Sequence, residues 1–94
     1  MNTSYVFLAP GFEEVEALTV IDVMRRAGMD VKTVSITDSR TVAGAHGIAV
    51  TADVVYEKTD FITPEWLILP GGMPGATNLS LIHISEPTRH SLIS

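Results

Sequence analysis

Hydrophobic positions fall along the chain in blocks whose period changes. Tyr5, Val6, Phe7, Leu8 and Ala9 form a short apolar run closed by Pro10 and Gly11, which predicts a strand buried on both faces. From Glu13 to Ala27 the spacing becomes helical. Ala17, Val20, Ile21, Met24 and Ala27 share one stripe, Val15, Leu18 and Val23 broaden it, and Glu14, Asp22 and Arg25 are expected in water. Glu13, Glu14 and Glu16 sit toward the positive end of this helix's dipole and Arg25 and Arg26 toward the negative end. Gly28 supplies the stop, with Met29 folding back onto the last turn.

Val31 to Ile36 continues as a second strand, so the opening unit reads strand, helix, strand, which requires a parallel pair. After a polar turn from Thr37 to Arg40, the segment Thr41 to Asp53 suggests two short strands, around Val42 and from Ile48 to Thr51, joined through Gly44 and Gly47 as a small hairpin. Trp66, Leu67, Ile68 and Leu69 form a further buried strand, ended by Pro70, Gly71 and Gly72. Met73 to Asn78 has the composition of a turn entering a helix.

The amphipathic helix that should follow is missing from the pattern. Leu79 to Arg89 instead resembles the conceptual translation of a transposase sequencing adapter, codon for codon, and Ile93 and Ser94 fit the same origin. Residues 1–78 are therefore expected to form a partial α/β domain and residues 79–94 a non-native tail, which removes His83 and His90 from consideration as ligands. A piece cut at this point is expected to expose the edge of the Trp66 to Leu69 strand and to be poorly soluble by itself.

Composition narrows the function classes. A chain of 94 residues allows one domain at most. The net charge of -5 is spread without a basic cluster, which argues against a nucleic-acid partner. The apolar stretch at Tyr5 to Pro10 is too short for a signal segment or a membrane span, leaving a cytoplasmic address as the default. With no cysteine, the chain has no disulfide, no thiolate metal site and no thiol nucleophile of its own.

In open parallel sheets ligands bind beyond the carboxyl ends of the strands, and two loops qualify: Pro10 to Glu16 and Pro70 to Ala76. Glu16 lies in the opening helical turn, within reach of that edge. By itself a first-turn glutamate is more often a dipole partner or a cap. Gly71 and Gly72 leave backbone N–H groups unobstructed, which suits an oxyanion hole or an anion nest, although a diglycine also simply permits a tight turn. His46, in Ala45-His46-Gly47, is expected to serve structure or an interface rather than a metal or catalysis.

Taken together, Gly11-Phe12-Glu13-Glu14-Val15-Glu16-Ala17, Asp22-Val23-Met24-Arg25-Arg26-Ala27-Gly28 and Leu69-Pro70-Gly71-Gly72-Met73-Pro74-Gly75-Ala76-Thr77-Asn78-Leu79 resemble the ThiJ/PfpI family. The resemblance covers Met1 to Asn78. It implies an α/β fold, a flavodoxin-like three-layer sandwich of the class I glutamine amidotransferase-like type, cut after about its first half. It further implies a cysteine nucleophile on a strained strand-to-helix turn, activated by a protonated glutamate matched here by Glu16, with Gly71 and Gly72 matching the oxyanion donors. The family's cysteine, and the histidine that often accompanies it, fall beyond Asn78. The expected parent is a homodimer acting on a small reactive carbonyl or glycated group, of deglycase or glutathione-independent glyoxalase type, with this chain its inactive fragment. No cofactor or metal enters this reading. The alternatives are a non-enzymatic stress chaperone or regulatory dimer of the same fold, and a PfpI-type amidase or peptidase.

Overall fold

The computed structural model describes residues 2–59, 61, 64–71 and 89–92, the last four by their backbone. Gly72 and the expected helical entry at 73–78 lie outside the described residues. Elements run in the order β1 (Ser4–Leu8), α1 (Glu14–Arg26), β2 (Val31–Ser35), β3 (Thr41–Ala43), β4 (Ala49–Thr51), β5 (Val54–Val55), a single 3-10 turn (Tyr56–Lys58), β6 (Trp66–Leu69) and β7 (Arg89–Leu92).

Five strands form one sheet in the order β5-β2-β1-β6-β7, with every neighbouring pair parallel. β1 pairs with β2 along its whole length, Ser4 opposite Val31 through Leu8 opposite Ser35. The strand-helix-strand unit expected from the periodicity is therefore present. The chain then steps outward from β2 to β5 before returning to the other flank of β1 as β6, so the direction of strand addition reverses between β1 and β6. β3 and β4 form the expected hairpin, Val42 opposite Val50, outside the main sheet.

Alternation along β1 divides the core in two. Val6 and Leu8 join Phe12, Ala17, Ile21, Val31, Val42, Ala52 and Ile68 on the side of α1 and the hairpin. Tyr5 and Phe7 join Val34, Leu67 and Leu69 on the opposite side, where Phe61 sets its ring 4.7 Å from Tyr5 and 5.8 Å from Phe7 in edge-on and tilted contacts. Both faces of β1 are thus buried, as an all-apolar strand demands.

The stop of α1 follows its sequence. Gly28, at φ +82°, donates to the Arg25 carbonyl at 3.0 Å, and Met29 N–H reaches back to Met24 at 3.1 Å, closing the last carbonyls in a Schellman arrangement. Several positions of the helix differ from expectation, Ala27 among them, which is expected on the buried stripe and is exposed. Val15, Leu18 and Val23 are 72%, 40% and 57% exposed and do not widen the buried stripe. Glu14, expected in water, is 3% exposed, because it precedes Ala17, Ile21 and Met24 at helical spacing on the face turned toward the protein. Arg25 leaves water in part to donate to the Val31 carbonyl at 2.9 Å and to Asp53 Oδ2 at 2.8 Å.

β5 and its 3-10 turn are additions to the sequence reading, since Val54 and Val55 form too short a run to register as a strand. The outer edge of β6, expected to be open, pairs instead with β7 in parallel, Trp66 opposite Arg89 through Leu69 opposite Leu92. Among the described residues no helix is long and apolar enough to cross a membrane.

Candidate active site at the strand-order reversal

The carboxyl ends of β1 and β6 lie side by side where the order of strands reverses, the position at which open α/β sheets hold ligands. After β1 the chain turns through Pro10 to Glu13 and enters α1. Glu13 is the N-cap, its carboxylate accepting from Val15 N–H at 3.1 Å, and its own N–H donates to the Gly71 carbonyl at 2.8 Å. Within the same first turn Glu16 Oε2 accepts from Gly71 N–H at 3.0 Å. The two loops singled out in the sequence are therefore brought together by a reciprocal pair of hydrogen bonds. Gly71 uses its carbonyl toward the cap and its N–H toward the side chain of the first turn.

The Gly71 N–H, matched by the resemblance to an oxyanion donor, points at Glu16 and is engaged by it here. Gly72, the other expected donor, lies outside the described residues. Among the described residues Glu16 Oε1 carries no hydrogen bond.

A second constellation, which the sequence reading missed, surrounds Glu14. Its Oε2 accepts from His46 N–H at 2.7 Å and from Ile48 N–H at 3.3 Å, and its Oε1 lies 2.8 Å from His46 Nδ1. Burial opposes the charge on Glu14, but the His46 ring and the surrounding backbone N–H groups outweigh it and hold its pKa down to about 2. The hydrogen bond and the negative charge of Glu14, with Glu13 nearby, push His46 up from its ordinary value. The hairpin turn thus forms a backbone nest for an anion, and the anion is supplied by the chain itself. Ligand-type atoms of Glu13, Glu14 and His46 lie within 4.8 Å of one another. Glu14 already has both oxygens occupied by donors, so the trio acts as a clasp between hairpin and helix. His46 thus joins the hairpin turn to the first turn of the helix through both its backbone and its ring. The signal that could have found Glu14 is its place on the Ala17-Ile21-Met24 stripe.

The sequence signature of the DJ-1/PfpI family matches residues 3–89. The chain belongs to the DJ-1/PfpI family. Among curated DJ-1/PfpI relatives, Protein DJ-1 homolog B of Arabidopsis thaliana is 38% identical over 72 residues, covering 77% of this chain and 16% of the relative. The Parkinson disease protein 7 homolog of Danio rerio is 37% identical over 76 residues, covering 80% of this chain and 40% of the relative. Among solved structures, a mutant of a DJ-1 superfamily protein from Salmonella typhimurium superposes with a TM-score of 0.77 at 38% identity, over 86% of this chain and 44% of that one. Oxidized Toxoplasma gondii DJ-1 gives a TM-score of 0.76 at 36% identity, over 83% and 42%. The chain therefore spans less than half the length of these DJ-1 proteins, and its fold is the corresponding part of their flavodoxin-like α/β architecture.

Proposed function

We propose that this chain carries one side of a cysteine-dependent active site that acts on reactive carbonyls or glycated groups, in the manner of a deglycase or a glutathione-independent glyoxalase. The observation that carries the reading is the hydrogen bond between Glu16 and Gly71 across the strand-order reversal. It sets a carboxyl group, one of whose oxygens has no partner among the described residues, at the sheet edge where a substrate would sit. In the complete protein that oxygen, carrying the carboxyl proton, would donate a hydrogen bond to the nucleophilic sulfur and favour the thiolate, and the Gly71-Gly72 turn would border the substrate carbonyl. The chain has no cysteine, so by itself it is an inactive fragment, residues 1–78 being the family-derived part and residues 79–94 a non-native tail.

The parent reading frame is expected to supply a cysteine on a strand-to-helix turn after Asn78. The purified parent should convert methylglyoxal and water to lactate without glutathione. The 94-residue chain should form none, and Glu16→Gln in the parent should lower turnover on the order of a hundredfold, the scale of a lost acid-base contribution. A parent lacking that cysteine, or a Glu16→Gln variant of unchanged rate, sinks the enzyme reading.

We further propose that the parent is a homodimer. Val15, Leu18, Val23 and Ile48, exposed large apolar side chains on α1 and beside the hairpin, support an additional contact there. The same side chains favour a second reading, a chaperone of this fold without turnover. Suppression of aggregation by a parent that forms no lactate would decide for it.

A further inference from the structure

The first turn of α1 sends two carboxylates to two different loops: Glu14 to the β3-β4 turn and Glu16 to Gly71. Backbone bonds follow the same division. Gly11 N–H donates to the Ala43 carbonyl at 2.9 Å and Ala45 N–H to the Phe12 carbonyl at 2.8 Å, while Glu13 N–H takes the Gly71 carbonyl at 2.8 Å. The segment from Gly11 to Glu16 is therefore held between the hairpin and the turn after β6.

We propose that Glu14 is a positioning residue: by anchoring the hairpin to the first turn of α1, it fixes where the Glu16 carboxyl stands against the Gly71 N–H. The functional weight of this rests on the reading of Glu16 given above, while the positioning itself does not. A helix's first turn has N–H groups without intrahelical partners and frays unless tied down. Here the tie is a carboxylate buried to 3% exposure, a placement that is stable only where donors replace its lost water. The hairpin turn supplies two N–H groups and an imidazole nitrogen, and leaves room for the carboxyl group by having no Cβ at Gly44. Glu14 and Glu16 leave the helix within the same turn, so a rotation or slide that frees Glu14 also displaces Glu16. An N–H···O bond of 3.0 Å weakens steeply with such a displacement.

Amide exchange in the 94-residue chain, followed by NMR, tests this without reference to catalysis. In Glu14→Ala the Gly71 amide should exchange roughly tenfold faster, the equivalent of one lost hydrogen bond, with the β1 amides changing far less. Glu14→Gln, which keeps an oxygen for the His46 and Ile48 N–H groups, should restore the protection. Unchanged Gly71 exchange in Glu14→Ala, or equal acceleration at Gly71 and throughout β1, overturns the proposal. Should Glu14→Ala not fold, Gly44→Ala, which displaces the same carboxyl, is read against the same two outcomes. Failure of the enzyme reading would show instead in lactate formation by the parent, which these exchange rates do not enter.

Discussion

Gly44 and the carboxyl group of Glu14 stand so close that a Cβ on residue 44 would overlap Cγ, Cδ and Oε2 of the glutamate. The glycine is there for space. Gly44→Ala is expected to push Glu14 from its donors and to cost about 1–3 kcal/mol, the range for overpacking a filled site. Urea unfolding measures it. Because both residues contribute to one contact, Gly44→Ala combined with Glu14→Ala should cost less than the sum of the single changes; strict additivity would mean that the two positions are independent.

Gly28 requires its glycine for another reason. Its φ of +82° is unfavourable for any side chain, while nothing lies within 4 Å of where a Cβ would project. Gly28→Ala should therefore cost about 1 kcal/mol from backbone strain alone, and Gly28→Asn less, since asparagine tolerates this conformation better. Thermal melts of the two variants should rank in that order.

Arg25 ties the end of α1 to the sheet through the Val31 carbonyl and Asp53, and Asp53 in turn accepts from Thr33 N–H at 2.9 Å. Arg25→Ala should lower stability by about 1–2 kcal/mol, with its partly exposed charge pair counted at the low end. Arg25→Lys should recover little of it, because one ammonium cannot reproduce the two-directional fork. A lysine variant with wild-type unfolding would contradict this account of the contact.

The clasp between Glu14 and His46 has a pH signature. The pKa of Glu14 is lowered in the fold, so its stabilisation is complete above its ordinary value of 4.5 and is lost as pH falls toward about 2. Asp53 is also lowered: burial opposes its charge, but Thr33 and Arg25 prevail, and it adds to the same acid limb. The pKa of His46 is raised, so its contribution is complete below its ordinary value of 6.5 and is lost as pH rises through the folded value. Stability from the clasp should therefore peak between about pH 4.5 and 6.5. His46→Gln should remove the loss on the alkaline side and shrink the acid limb, because the ring that helps hold Glu14 ionised is gone while the backbone donors remain; calorimetry across this range checks both limbs.

β7 covers the edge of β6 with backbone pairing along four residue positions. Deleting residues 79–94 uncovers that edge, an unpaired row of donors and acceptors beside buried apolar side chains. The shortened chain is expected to self-associate more strongly than the full chain, which light scattering at matched concentration would detect.

Much of the fold was legible because the residues that build it are consistent at every scale. Tyr5 to Ala9 is apolar at each position and is buried on both faces; Gly28 follows a helical stripe and ends it; Trp66 to Leu69 lies between punctuating residues and is a strand. The loops of Glu16 and Gly71 were legible as sharing the carboxyl edge of a parallel sheet, and the resemblance singled out the two residues, since nothing local links loops so far apart in sequence. What escaped was decided by tertiary context. Glu14 looked solvated because it is charged, and the donors that make its burial possible come from a hairpin distant in the chain. Val15, Leu18 and Val23 looked buried because they are apolar, yet they lie off the face that the sheet covers. The two-residue β5 is held by its register with Val34 and Ser35 and carries no periodic signal of its own.

The pairing of β1 has a consequence for synthesis. The strand emerges first, but its two neighbours arrive at very different times: β2 directly after α1, and β6 only after the hairpin and β5 have also been made. On the ribosome β1, α1 and β2 can assemble from nearby contacts, whereas the Glu16-Gly71 bond waits for the slow, distant closure onto β6. The Glu16-Gly71 contact thus takes shape only after the opening unit, and a pause in translation between β5 and β6 would hold the nascent chain with that flank of β1 still open.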